Sequence, residues 1–242
     1  MARRVEDVVP SLSARSVLLS LLFCARPPAL SLKAILRAGE LVDVSPATMR
    51  VAISRAVATG DIDVVDSLYT LAGRHLVRYR NIGEHIRPAT KPSRGQWRVV
   101  VLTERGRTAA ERTATRRALA RSRFGELREG VWLRPDNLRD SDLEISTEFE
   151  SFLTEPADPG ALLRRIWDVD EWADVTRAVV EQVRSGPEIT FERFRATVAA
   201  VRLLTEDLAA PLELLPENWP GADVRAAYEE FRANMAAKMA SS

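Results

Sequence analysis

The side chains best suited to chemistry stand in Ser45-Pro46-Ala47-Thr48-Met49-Arg50-Val51-Ala52-Ile53-Ser54-Arg55. Helical spacing sets Met49, Ile53, Ala56 and Val57 on one stripe and leaves Thr48, Arg50, Ser54 and Arg55 facing elsewhere. A guanidinium fork matches guanine O6 and N7 or a phosphate, and a Ser or Thr hydroxyl bonds several base edges. The chemistry implied is the reading of duplex DNA from the major groove. A second cluster is Arg105, Arg107, Arg112, Arg116, Arg117, Arg121, Arg123 and Arg128. Arg112 with Arg116, and Arg117 with Arg121, share a helix face at four-residue spacing, where like charges repel unless an anion neutralises them. DNA phosphate, a phosphorylated ligand such as a CoA derivative, and the carboxylates of the C-terminal half all fit. A solvated face balanced by that acidic half is the commonest outcome for such a cluster.

Other chemistries lack their residues. His75, His85 and the single cysteine, Cys24, make no zinc set, and neither a nucleophile elbow, a phosphate loop nor a dinucleotide fingerprint occurs. Asp168 and Asp170 read as helix caps rather than as an acid and base pair. No catalytic residue, metal or cofactor is therefore expected. With one cysteine no intramolecular disulfide can form, and Cys24, inside an apolar run, reads as a small buried hydrophobe. That run, residues 16–25, is far too short to span a membrane. Glu6, Asp7 and Arg15 interrupt anything resembling a signal peptide after Arg3-Arg4, so the expected compartment is the cytoplasm.

The elements that must position these residues follow from pattern. A chain of 242 residues, 46% hydrophobic and 29% charged, can bury one large core or two small ones. Ser13 caps a first helix with Val17, Leu18, Leu21 and Leu22 inward, ended by Pro27-Pro28. A second starts near Ser31, with Leu32, Ile35 and Leu36 inward, and falters at Gly39. The third takes Ser45 as N-cap, Pro46 at its first position and Gly60 past its end. Ile62, Val64 and Val65, then Leu68, Tyr69 and Leu71, suggest a hairpin turning at Asp66-Ser67. This is the order of a winged helix-turn-helix, although the hairpin carries Asp61, Asp63 and Asp66 where a wing usually carries cations, with Arg74, His75 and Arg78 only beyond it. Residues 81–96, rich in Gly and Pro, read as a linker. A strand at Trp97–Leu102, an arginine-rich helix from about Arg107 to Arg123, strands around Val131-Trp132-Leu133 and Phe149–Phe152, and a helix opened by Pro159 suggest a ferredoxin-like sandwich. The remainder is helical, with one stripe of Phe191, Phe194, Val198 and Val201. Another, Val224, Tyr228, Phe231, Met235 and Met239, suits its own core or a second copy.

Charge is unevenly spread. The formal total is +1, yet residues 1–134 carry +12 and residues 135–242 carry −11, which gives a basic half fit for a polyanion and an acidic half unfit for one. Much of the surplus, +11, falls between Arg74 and Arg134, outside the expected DNA reader.

Four stretches, in order, resemble the PaaX family, bacterial repressors of phenylacetic acid degradation. They are residues 45–55 above; Trp97-Arg98-Val99-Val100-Val101-Leu102, leading to Arg123-Phe124-Gly125-Glu126-Leu127-Arg128-Glu129-Gly130-Val131-Trp132-Leu133-Arg134-Pro135; Ile166-Trp167-Asp168-Val169; and Leu214-Leu215-Pro216-Glu217-Asn218-Trp219-Pro220-Gly221. The resemblance implies an α+β protein in three parts: an N-terminal winged helix-turn-helix (1–80), a central ferredoxin-like domain similar to a CRISPR nuclease subunit (96–186), and a helical C-terminal domain (187–242). It also implies a homodimer that binds double-stranded operator DNA through Thr48, Arg50, Ser54 and Arg55 and is released by an acyl-CoA or aromatic acid effector. No effector-binding residue carries over. Val64-Val65-Asp66-Ser67 departs from the Gly-Arg-Arg-like wing of the family. Two alternatives stand beside the regulator: a metal-dependent nuclease using Glu104 after the first central strand, and an effector-binding protein without DNA binding.

Overall fold

The computed structural model describes residues 5–9, 11–103, 107–139 and 149–240, a mixed α+β chain. Helix α1 (Val5–Val8) and α2 (Ala14–Cys24) precede a short strand β1 (Ala29–Ser31), followed by α3 (Leu32–Glu40) and α4 (Pro46–Ala58). Strands β2 (Ile62–Val65) and β3 (Leu68–Leu71) lead into α5 (Gly73–Ile86). Then come β4 (Trp97–Leu102), α6 (Ala109–Arg121), β5 (Gly125–Arg128), β6 (Val131–Pro135), β7 (Phe149–Thr154) and α7 (Pro159–Ile166). Helices α8 (Val169–Val183), α9 (Phe191–Glu206) and α10 (Gly221–Ala240) complete the order. By contacts the chain groups into two compact units, one of residues 1–86, 174–204 and 220–242, the other of 87–173 and 205–219.

In the first unit, helix starts lie where a side-chain oxygen can take an orphan N–H. Ser13, Ser31 and Ser45 each accept from the backbone N–H three residues on, at 3.2 Å. Val17, Leu18, Leu21 and Leu22 are fully buried, as their spacing requires. Helix α3 ends at Glu40, one residue past Gly39, which faces α4: a Cβ there would stand 2.9 Å from Met49 Cε. Leu32, expected inside, is exposed, and Ile35 and Ala38 are the inward positions. The hairpin turns on Asp66 (φ 49°) and Ser67 (φ 64°), both left-handed as a two-residue type I′ turn demands. Its outer residues Val64, Val65 and Leu68 are exposed rather than core. Strand β1 adds a third strand, giving the antiparallel order β1-β3-β2; three residues are too few to show alternation. Helix α5 runs into the expected linker, and two of its buried side chains are His75 and His85, which an apolar pattern does not count. The stripe Val224, Tyr228, Phe231 and Met235 is buried in this unit's own core, so it is not a surface for a second copy. Cys24 is buried, and burial pushes its thiol up to about 12.

The second unit is built on a four-stranded antiparallel sheet of order β5-β6-β4-β7. One face of β4, with Trp97 and Val99, packs with Leu133, Leu163, Val169, Leu208 and Ala210. The other face, through Val100, packs with Leu119, Phe124 and Trp132. Helix α6 starts at Thr108, whose hydroxyl and backbone N–H exchange bonds with Glu111 in a capping box. Gly125 is where α7 meets β5: a Cβ there would fall 2.7 Å from Ile166 Cβ. Trp172 stacks on Trp219 with centroids 4.5 Å apart, and Trp167 sits 5.6 Å from each.

Candidate nucleic-acid interface

Helix α4 divides into two faces. Met49, Ala52, Ile53 and Ala56 are buried, while Val57, expected on the inner stripe, is 41% exposed and its place is taken by Ala52. At about 100° per residue, the exposed arc runs from Arg50 and Ser54 through Ala47, Ala58 and Val51 to Arg55 and Thr48. All four residues singled out from sequence are therefore exposed on one helix. Arg50 and Arg55 stand on opposite flanks of the arc rather than at its middle. Neither makes an ion pair or side-chain hydrogen bond with a described residue. The middle is small and apolar: Ala47, and Val51 at 50% exposure. Sequence reading passed over both because an apolar residue on an amphipathic helix is assigned inward by default. Apolar groups there are the type that meets a thymine methyl. Thr48 is tied to the cap, its hydroxyl 2.9 Å from Ser45 Oγ.

Asp61 is not a wing residue. It is 3% exposed and accepts hydrogen bonds from Thr59 Oγ1 (2.6 Å), His75 Nε2 (2.9 Å), Arg15 Nε (3.0 Å) and Arg74 Nη2 (3.2 Å). Its backbone N–H donates to Ala56 of α4 and its carbonyl accepts from Ala72. The Thr59 hydroxyl first, then Arg15 and His75, hold its carboxyl well below the usual carboxylate range, against burial, which pushes the other way. The hairpin's acidity thus reduces to Asp63 and Asp66, both exposed. Arg74 and His75 serve this buried carboxylate.

The arginine cluster scatters. Arg116 pairs with Glu126 at 2.8 Å and Arg112 lies 3.8 Å from Glu129 across a cleft of about 600 Å³ between α6 and the β5–β6 hairpin. These carboxylates come from the adjoining hairpin, not from the acidic C-terminal half as expected. Arg123 is buried and donates to the Asp207 carbonyl, and Arg134 lies over the Phe124 ring. Arg117 and Arg121 are exposed, and Arg105 lies outside the described residues, as does Glu104, the carboxylate of the nuclease alternative. Among the described residues no three His, Cys, Asp or Glu side chains come together as a metal site. No described helix is long and apolar enough to cross a membrane. Asp168 caps α8, accepting from Glu171 N–H at 2.9 Å.

The motifs shared with the regulator family thus divide by role. Trp97, Phe124, Trp132 and the three-tryptophan cluster build the interior of the second unit. Of the four stretches, residues 45–55 are the ones that carry exposed arginines, Arg50 and Arg55, on a capped helix with no partner among the described residues. Comparison with known proteins agrees with this order of motifs. Residues 90–152 match the family described as the PaaX protein central Cas2-like domain. The solved structure of the uncharacterized protein Rv0674 from Mycobacterium tuberculosis superposes with a TM-score of 0.82 at 36% identity, covering 95% of this chain and 98% of that one. A search of curated proteins gave no match.

Proposed function

The chain belongs to the PaaX-like family, and from that membership we propose that it is a DNA-binding transcriptional regulator. In this reading it is a cytoplasmic repressor released from double-stranded operator DNA by an acyl-CoA or aromatic acid. The observation that carries the reading is the outward arc of α4, where Arg50 and Arg55 flank a small apolar centre with no side-chain partner among the described residues. The reader is a winged helix-turn-helix, with α4 in the major groove and β2–β3 as the wing; the capped helices and the type I′ hairpin support it. Arg50 and Arg55 supply base or phosphate contacts, Thr48 and Ser54 support them, and Ala47 and Val51 face the groove floor. The wing, with exposed Val64, Val65 and Asp66, adds little phosphate attraction, so α4 carries most of the affinity.

The central part is ferredoxin-like in this proposal, which the strand order β5-β6-β4-β7 supports. A homodimer follows from the need to read two half-sites, since one winged helix gains both affinity and selectivity from pairing. The family is a regulatory one, and no enzymatic step is assigned. Selection of bound sequences from random duplex DNA, with and without a panel of CoA thioesters and aromatic acids, tests reader and effector together. An enriched palindromic site released by one class of effector is the expected result. Recovery of unenriched sequence would refute the reading.

A further inference from the structure

Val51 stands 50% exposed on the outward arc of α4. The inner face of the helix is made by Met49, Ala52, Ile53 and Ala56, and a β-branched side chain is a weaker helix former than Ala or Leu, so Val51 serves neither the core nor the helix. Its surroundings are specific. At about 100° per residue it lies about 40° from Arg55 and from Ala47, about 60° from Ser54 and about 100° from Arg50. Ala47 offers only a Cβ, which leaves the two Val51 methyls as an apolar prominence between two arginines that have no ion pair or side-chain hydrogen bond with a described residue. The prominence is also held still. Ser45 accepts the Thr48 N–H at 3.2 Å at the start of α4, the Thr59 hydroxyl donates to the Arg55 carbonyl at 3.1 Å at its end, and the Asp61 N–H donates to the Ala56 carbonyl. A valine in a helix keeps largely one χ1 rotamer.

We propose that Val51 is a specificity-determining residue that reads a thymine by its 5-methyl group, so that each half-site carries a thymine between the contacts of Arg50 and Arg55. The inference rests on α4 being the DNA reader and deepens that reading. Charge selects the occupant. A second copy laid on this arc across a two-fold axis would set cations against cations, whereas a polyanion meets Arg50 and Arg55 with the opposite sign. Base chemistry then selects the thymine. Adenine, guanine and cytosine present only donors and acceptors on the major-groove edge, and the thymine methyl is the apolar group there. A valine over a donor or acceptor strips its water and returns no hydrogen bond; over a methyl it buries apolar surface on both sides. Because Val51 has neither donor nor acceptor, it senses the methyl and not the polar group beside it. A cytosine carrying the same 5-methyl is therefore preferred to an ordinary cytosine at that position.

Fluorescence anisotropy of the full chain on duplexes selected from random DNA tests the contact, with each thymine of the half-site replaced in turn by deoxyuridine. At one position the change should weaken binding about three- to five-fold, the effect of one buried methyl. At that position a 5-methylcytosine·guanine pair should bind better than an unmodified cytosine·guanine pair by a similar factor. In Val51→Ala both responses should fall below about two-fold, as a double-mutant cycle across one contact requires. Alanine outranks valine as a helix former, and thermal melting confirms that the variant is folded. Equal affinity for thymine and deoxyuridine throughout the half-site, or responses in Val51→Ala as large as in wild type, overturns the assignment and leaves α4 as a DNA reader. Wild-type duplex binding with lost self-association in Val51→Ala also overturns it and makes the arc a protein contact. A chain that binds no duplex loses the regulatory reading and the thymine contact together.

Discussion

Removing the Asp61 carboxylate should destabilise the first unit by an amount that its partners set. In Asp61→Ala the ring of His75, 8% exposed, loses the acceptor of its Nε2–H, which costs about 1–3 kcal/mol for an unsatisfied buried donor. The Thr59 hydroxyl loses a bond of about 0.5–1.5 kcal/mol. Arg15 and Arg74, with side chains 44% and 77% exposed, return to water and together count for about 0–1 kcal/mol. The sum is a loss of about 1.5–5.5 kcal/mol, or roughly 3–22 °C in Tm for a chain of this size. Urea unfolding should be followed by far-ultraviolet circular dichroism, because all five tryptophans, at 97, 132, 167, 172 and 219, belong to the second unit. Asp61→Asn adds a test of pH. The folded carboxyl titrates below the usual carboxylate range, and the unfolded one near about 3.9. Its contribution is therefore full above about pH 4 and lost as pH falls through the folded value. The stability gap between wild type and Asp61→Asn should be widest at neutral pH and close on acidification below about pH 4. A loss under about 1 kcal/mol for Asp61→Ala, or a gap that widens in acid, would refute the reasoning.

Other expectations follow from single contacts. Gly125→Ala should cost about 1–3 kcal/mol by overpacking against Ile166, and a double-mutant cycle in urea with Ile166→Ala should recover part of that loss. Ser45→Ala removes the α4 N-cap and should lower stability by about 1 kcal/mol, read by thermal melting. Trp172→Ala should cost about 3–5 kcal/mol and change the tryptophan emission, since it dismantles the stack with Trp219. Arg116→Ala, which breaks a pair whose arginine is 63% exposed, should leave the thermal melt unchanged, because solvent screens such a pair.

Local signals carried far along the chain. The serine caps, Pro46 and Pro159 at helix starts, and the strand from Trp97 to Leu102 appear where their chemistry requires them. These features depend on neighbours within one turn or one strand, so they are legible in sequence. Asp61 was not, because its four donors come from positions 15, 59, 74 and 75, and beside Asp63 and Asp66 it reads as one more acidic residue of the wing. The reading of the arginine cluster failed for a similar reason. Whether Arg116 meets Glu126 or a distant acidic helix is decided by the β5–β6 hairpin, not by the charge count of each half. On α4 the residue types pointed to the right helix, yet Val57 and Val51 could be assigned to a face only once the burial of Ala52 was known. A cleft in the first unit, lined from α2, α5, α9 and α10, was invisible in sequence because the first and last of these helices stand about 200 residues apart.

The account stands on the outward arc of α4, and a matched pair of double variants tests it most directly. Arg50→Ala with Arg55→Ala and Arg117→Ala with Arg121→Ala remove the same charge from exposed arginines on α4 and on α6. Fluorescence anisotropy should be measured on the selected duplex across about 50–200 mM salt, where phosphate contacts show as a steep loss of affinity. At about 1–3 kcal/mol for each bidentate base contact, the α4 pair should weaken binding by at least about 30-fold and flatten either the salt slope or the sequence preference. The α6 pair should change affinity by only a few-fold. Equal losses from the two pairs, or an α4 pair that binds like wild type, would contradict the assignment of α4 as the DNA reader.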